Sequence, residues 1–191
     1  LGEYRVNRAI RRELDGSHYV LLGDVTIYDE EGTTQIDQLV VSRYGIFVIE
    51  TKNLTGWIFG AEKQQKWTQS VYRKKFHFQN PIRQNYRHVK ALESALSLGP
   101  RYFIPVIIFV GDCKLKTEMP DNVVAGIPAL IRYMKSFDQE LFSPSEMSVL
   151  IERIEGIRLM LCKATDTLHR NNLRNEGKSG GRSSQSAGNL N

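Results

Sequence analysis

Apolar positions recur along this chain with two different spacings. Over "GEYRVNRAIRREL", Val6, Ile10 and Leu14 fall at helical intervals, which predicts an amphipathic helix that a Gly closes within "DGSHY". Extended patterns follow at 19–29, at 34–42 and, after the turn "RYG", at 46–53. Such short turns predict an antiparallel meander. "GWIFG" and "KWTQSVY" read as a hairpin around "AEKQQ". "NPIRQNYRHVKALESALSLGP" then starts with an Asn N-cap and a Pro at the first helical position and ends on Gly-Pro, a helix with both ends marked.

"RYFIPVIIFVG" is a further apolar strand, "NVVAG" a short one and "IPALIRYMKSF" a helix. The last helical stretch, from "SPSEM" onward, opens with a capping box of Ser143 and Glu146. A helix crossing from the meander to a later strand closes a mixed sheet with a parallel pair. The predicted class is α/β, with one domain over 1–173 and a disordered Gly/Ser-rich tail over 174–191.

Composition narrows this picture only a little. With 191 residues, 41% of them hydrophobic, the chain can bury one good core. A formal charge of +5 and a pI near 9.2 favour an acidic partner such as nucleic acid. Cys113 and Cys162 lie far apart, without CxxC pairing or zinc-ligand spacing, which fits a reducing cytoplasm. No apolar run is long enough for a membrane span, although a start on Leu1 leaves room for residues upstream.

The chemistry begins with "GIFVIETKN". Ile46, Val48, Glu50 and Lys52 share one strand face, and Phe47, Ile49 and Thr51 share the other. Both faces are apolar up to the strand's end, which makes the strand central and places a carboxylate and an ammonium where charge is costly unless paired or metal-bound. Asp37 is likewise a single acid between apolar neighbours in the preceding strand. Two carboxylates with waters suit an octahedral Mg²⁺, and Lys52 would then orient or deprotonate a water and offset charge on a phosphate. The competing reading is an ion pair of Glu50 with Lys52, with Asp37 a polar residue near a turn.

Glu3 stands at i+3 and i+7 from Val6 and Ile10, a carboxylate on the core side of the first helix or a first-turn acid favoured by the helix dipole. Gln84 lies in the first turn of the "NPIRQ" helix, whose amides can meet an anion. Around it, 71–101 carries Arg73, Lys74, Lys75, Arg83, Arg87, Lys90 and Arg101 against Glu93 alone, with Tyr72, Phe76, His77, Phe78 and Tyr86 interleaved. That stretch reads as a phosphate-contacting surface, or as an ordinary solvated face. Trp57 and Trp67 read as core, with Trp67 a weak candidate for base stacking. His18, His77, His88 and His169 show no ligand spacing and read as surface or packing residues.

"GE" at Gly2-Glu3, "QID" at 35–37, "GIFVIETKN" with its E-x-K, "GWIFG" followed by Trp67, and "NPIRQ" at 80–84 together resemble the NERD (nuclease-related) domain, a family that looks like a branch of the PD-(D/E)xK nuclease superfamily. The resemblance covers about 1–111 well and the later helices (127–173) more loosely. It implies a restriction-endonuclease-like α/β/α core and a Mg²⁺-dependent nuclease, with Mn²⁺ as a substitute and DNA as the favoured substrate. Asp37 and Glu50 would be the metal-binding acids, Lys52 the catalytic lysine, Glu3 the helix acid and Gln84 the polar residue of the later helix. Read from the basic stretch itself rather than from the resemblance, Arg73, Lys74, Lys75, Arg83 and Arg87 would contact the nucleic acid. Ile36 stands where the superfamily's name has Pro, a variation that the superfamily tolerates. A nucleic-acid-binding module that cuts little without a partner domain stays open, as does an ion-paired protein-interaction domain. So do a homodimer and a helicase-type partner.

Overall fold

The computed structural model describes residues 2–29 and 32–158. The tail expected at 174–191 and the part of the C-terminal helix expected beyond residue 158 lie outside them. Among the described residues no helix is long and apolar enough to cross a membrane.

Helix α1 (Gly2–Glu13) is followed by β1 (Tyr19–Leu22), β2 (Val25–Asp29), β3 (Gly32–Ile36), β4 (Gln38–Ser42) and β5 (Gly45–Asn53). The stretches expected at 19–29 and 34–42 are therefore each broken in two. β1 pairs with β4 and β4 with β5, both antiparallel, while β2 and β3 form a two-stranded hairpin of their own. The second break is Asp37. It leaves the ladder, and its side chain supplies the missing acceptor: the Thr51 amide donates to Asp37 Oδ2 at 3.0 Å.

β6 (Gly56–Phe59), β7 (Lys66–Val71) and β8 (Lys74–Gln79) then form an antiparallel set, and β10 (Cys113–Leu115) adds in parallel to β6. The sequence reading missed β8 and β10. The turn into β8 holds Tyr72 and Arg73 at positive φ (46° and 67°), so charge and an unusual turn disguised a strand. Helix α2 (Pro81–Leu96) follows, ending at Ser97 in the left-handed region rather than at the Gly-Pro expected. β9 (Phe103–Val110) returns parallel to β5, β11 (Val123–Ala125) pairs with β9, and α3 (Ile127–Lys135) and α4 (144–158) complete the described chain. The main sheet runs β1-β4-β5-β9-β11.

β5 is central, and its two faces belong to two cores. Ile46 and Val48 pack with Val89, Leu92 and Leu96 of α2 and with Met147, Leu150 and Ile154 of α4. Phe47 and Ile49 pack with Val6 and Ile10 of α1 and with Leu130 and Met134 of α3. The result is an α/β/α arrangement around a mixed sheet, consistent with a restriction-endonuclease-like core. Fully burying each such side chain contributes about 1.5–3 kcal/mol, which makes these layers the main source of stability.

Caps and polar pins fix where the helices start. Asn80 is fully buried; its Oδ1 accepts from the Ile82 amide at 2.9 Å, and its Nδ2 donates to the carbonyls of Glu62 (2.9 Å) and Gln64 (2.7 Å). It therefore ties the β6–β7 loop to the first turn of α2. Asn85, one turn on, donates to the carbonyls of Val48 (2.8 Å) and Val106 (3.2 Å), pinning α2 to β5 and β9. The Ser143–Glu146 capping box forms as expected: the Ser143 amide donates to Glu146 Oε2 at 2.7 Å, and the Glu146 amide to Ser143 Oγ at 3.3 Å.

Candidate active site

The end of β5 carries charge into the protein. Glu50 is 2% exposed, and each of its oxygens has a partner. Lys52 Nζ lies 2.6 Å from Oε1, and His88 Nε2 lies 3.3 Å from Oε2. Lys52 also donates to Gln84 Oε1 at 2.9 Å. The β5 alternation and the pinned α2 produce this meeting: Glu50 and Lys52 point to the helix side, and Gln84 and His88 are one helical turn apart on the facing surface.

Asp37 enters from the break between β3 and β4, half-buried and bonded to the Thr51 amide through one oxygen. Burial first, and then the negative charge of Glu50, push its carboxyl up to about 6; the charge of Glu3 adds in the same direction. Glu50 moves the other way. Burial pushes it up, but hydrogen bonds from His88 and Lys52 outweigh this and hold it below its ordinary value. An ionised carboxylate only accepts, so His88 Nε2 carries the hydrogen toward Glu50. In the neutral ring Nδ1 then accepts from Thr34 Oγ1, 2.9 Å away.

Asp37, Glu50, Lys52 and Gln84 thus lie together at the end of β5. Glu3 is exposed rather than on the core side, but the helix start holds its charge near Asp37. Gly2 makes that placement possible. A Cβ there would lie 2.9 Å from both Asn53 Cβ and Val110 Cγ2, so a glycine lets α1 close on the ends of β5 and β9.

His88 corrects the sequence reading. It is 4% exposed and bridges Glu50 to Thr34, so it belongs to the site rather than to the surface or to packing. Its position four residues after Gln84, on the same helix face, is the signal that could have found it. Trp57 is a second correction: it is exposed, whereas Trp67 is fully buried against Phe109 and Phe78 and unavailable for stacking on a base. Arg87 lines a cleft of about 280 Å³ with Thr34, Gln79, Gln84 and His88. Arg83 is exposed on the same helix, and Arg73, Lys74 and Lys75 are exposed at the β7–β8 turn and along β8.

Among the described residues no three His, Cys, Asp or Glu side chains converge as a metal cage. The donor set is a carboxylate pair, with its one imidazole already hydrogen-bonded and no thiol. Such a set suits a hard cation that draws its remaining ligands from water and phosphate oxygens.

An uncharacterized protein of Bacillus anthracis is 53% identical over 93 residues, which cover 48% of this chain and 43% of that protein. The chain therefore spans less than half the length of that relative. No solved structure matches it. Residues 1–110, more than half of the chain, match the nuclease-related domain, and the chain belongs to that family.

Proposed function

We propose that this chain is a metal-dependent nuclease that hydrolyses phosphodiester bonds in DNA. One observation carries the reading: Asp37 from the β3–β4 break, Glu50 and Lys52 from β5, and Gln84 from α2 meet at one end of the central strand. In a family related to nucleases, a buried carboxylate beside a second carboxylate, an ammonium and a carboxamide fits hydrolysis at phosphorus.

Asp37 and Glu50 would hold Mg²⁺, or Mn²⁺ in its place. A divalent cation bound there would neutralise the scissile phosphate and make a bound water easier to ionise. Lys52 is held between Glu50 Oε1 and Gln84 Oε1, from which it orients the attacking water and offsets charge building on the phosphate. Gln84 has no charge to give; its oxygen fixes where the ammonium points. Glu3 adds a carboxylate at the rim. Arg83 and Arg87 on α2, with Arg73, Lys74 and Lys75 on the β7–β8 hairpin, contact the DNA backbone and supply the salt-dependent part of the affinity.

A second reading, a nucleic-acid-binding module with little cleavage of its own, has one observation in its favour. Both Glu50 oxygens are already engaged, so a cation must displace Lys52 or His88 or share their oxygens. A homodimer or a helicase-type partner would then complete the site. Supercoiled plasmid and single-stranded DNA, incubated with the protein in Mg²⁺, Mn²⁺ or EDTA, separate the two. Metal-dependent cutting lost in Glu50→Ala and Lys52→Ala is expected; no cutting by folded protein in either metal leaves the binding module.

A further inference from the structure

The sheet β10-β6-β7-β8 buries one face over β10, β6 and β7, leaving Phe76 (51% exposed) open on that side at the β8 edge, and bares the other face; its register assigns the residues. Trp57 stands opposite Ser70 of β7 and Lys114 of β10, and Ser70 opposite Lys75 of β8. Phe59 stands opposite Thr68, and Thr68 opposite His77. Side chains paired across strands share a face. Ile58, Trp67 and Phe78 take the other face, in a third buried core.

The open face therefore has Trp57 (52% exposed) and Phe59 (36% exposed) at its middle. Lys75, His77 and Lys114 are exposed around them, and Lys116 Nζ lies 4.5 Å from the Trp57 ring centre. Surface grooves of about 650 and 660 Å³ open beside Trp57 and Phe59. Their acids, Asp112 in the first and Glu62 and Glu118 in the second, lie outside the strands rather than between the aromatic rings. Along β8, Lys75, His77 and Gln79 alternate on one side, and Gln79 also lines the cleft with Gln84 and His88. The face is thus continuous with the candidate active site.

We propose that this face is a stacking platform that binds single-stranded DNA and leads it to the cleft; DNA as the ligand rests on the function proposed above. Trp57 and Phe59 are two residues apart on β6, about 7 Å, a spacing that seats successive unstacked bases. Bases of any sequence offer a π-face, so the contact is tolerant of sequence. Lys75, Lys114 and Lys116 answer the phosphates, Lys116 exchanging its exposed contact with the Trp57 ring for a phosphate oxygen. A duplex hides the base faces and would meet only the lysines.

The test is a fluorescence-anisotropy titration of the full chain, in EDTA, with a labelled oligothymidylate of about 16 nucleotides, the upper end of single-strand site sizes. The expected result is that Trp57→Ala with Phe59→Ala weakens oligothymidylate binding about 30-fold or more, changes binding of a duplex little, and that Trp57→Phe restores most of the loss. Emission of buried Trp67 reports that each variant is folded. Unchanged affinity in the double variant, an equal loss for the duplex, or tighter binding of oligouridylate than oligothymidylate overturns the proposal. Because the titration contains no metal, it fails separately from the nuclease reading. Binding lost with the aromatic pair in a protein that never cuts supports the platform alone, and cutting of oligothymidylate that is unaffected by the double variant overturns the platform alone.

Discussion

His88 Nε2 lies 3.3 Å from Glu50 Oε2, and the other nitrogen of the same ring lies 2.9 Å from Thr34 Oγ1. One imidazole therefore joins α2, β5 and β3 behind the carboxylate proposed to hold the cation. Removing it strands a buried carboxylate oxygen, which costs about 1–3 kcal/mol. His88→Ala is expected to lower the unfolding midpoint in urea and to raise the Mg²⁺ needed for half-maximal cutting by roughly 10- to 100-fold. His88→Gln, which keeps a donor toward Glu50, should recover part of both. A Mg²⁺ requirement unchanged in His88→Ala would mean that the ring only packs.

Asp37 predicts a pH dependence of stability in metal-free protein. Its folded value of about 6 lies above its ordinary 3.8, so the folded chain holds this proton more tightly than the unfolded chain does. The group's favourable contribution is complete below about pH 4 and is lost as pH rises through 6. Asp37→Asn removes that dependence. In EDTA the variant should be the more stable protein above pH 7, by on the order of 1 kcal/mol after solvent screening is allowed for. The advantage should vanish near pH 4. Melting curves of the two proteins across that range check the difference, and a constant offset at all pH values would contradict it.

Asn80 makes the N-terminus of α2 depend on the β6–β7 loop. Asn80→Ala loses the cap to the Ile82 amide and leaves the carbonyls of Glu62 and Gln64 without their shared donor. The expected cost is about 2 kcal/mol, read as a lower urea midpoint at unchanged slope. Asn80→Asp should keep the cap but not the donor, and fall between the two.

Gly2→Ala tests whether the approach of α1 matters to the site. The added methyl meets Asn53 Cβ and Val110 Cγ2 at 2.9 Å, so α1 or the strand ends that carry these side chains must give way. A loss of about 1–3 kcal/mol is expected, together with reduced cutting in the same direction as Glu3→Gln. Full activity in Gly2→Ala would separate Glu3 from the chemistry.

The polar site of β5 was legible because strand alternation assigns faces without any knowledge of register. Glu50 and Lys52 follow Ile46 and Val48 on one side of a strand that is apolar on both, and only a pair, a metal or a function accounts for that. Asp37 was legible as a misplaced acid but not as the end of a strand, since Thr34 to Ser42 keeps its extended composition across the break. Trp57 was misread for a related reason. In "GWIFG" both alternating sets are apolar, so nothing local says that Ile58 faces in while Trp57 and Phe59 face out. His88 carries no spacing signal of its own and becomes visible only once Gln84 is placed one turn before it.

The bond from the Thr51 amide to Asp37 also makes the site observable from the backbone. Along the β4–β5 ladder, which ends at Gln38 and Ile49, the acceptors are backbone carbonyls with fixed dipoles; at Thr51 the acceptor is a group that can be protonated or drawn toward a cation. The amide nitrogen and proton resonances of Thr51 should therefore move with the charge of Asp37, giving a nuclear magnetic resonance reporter of ionisation and metal occupancy that needs no label at the active site and no substrate.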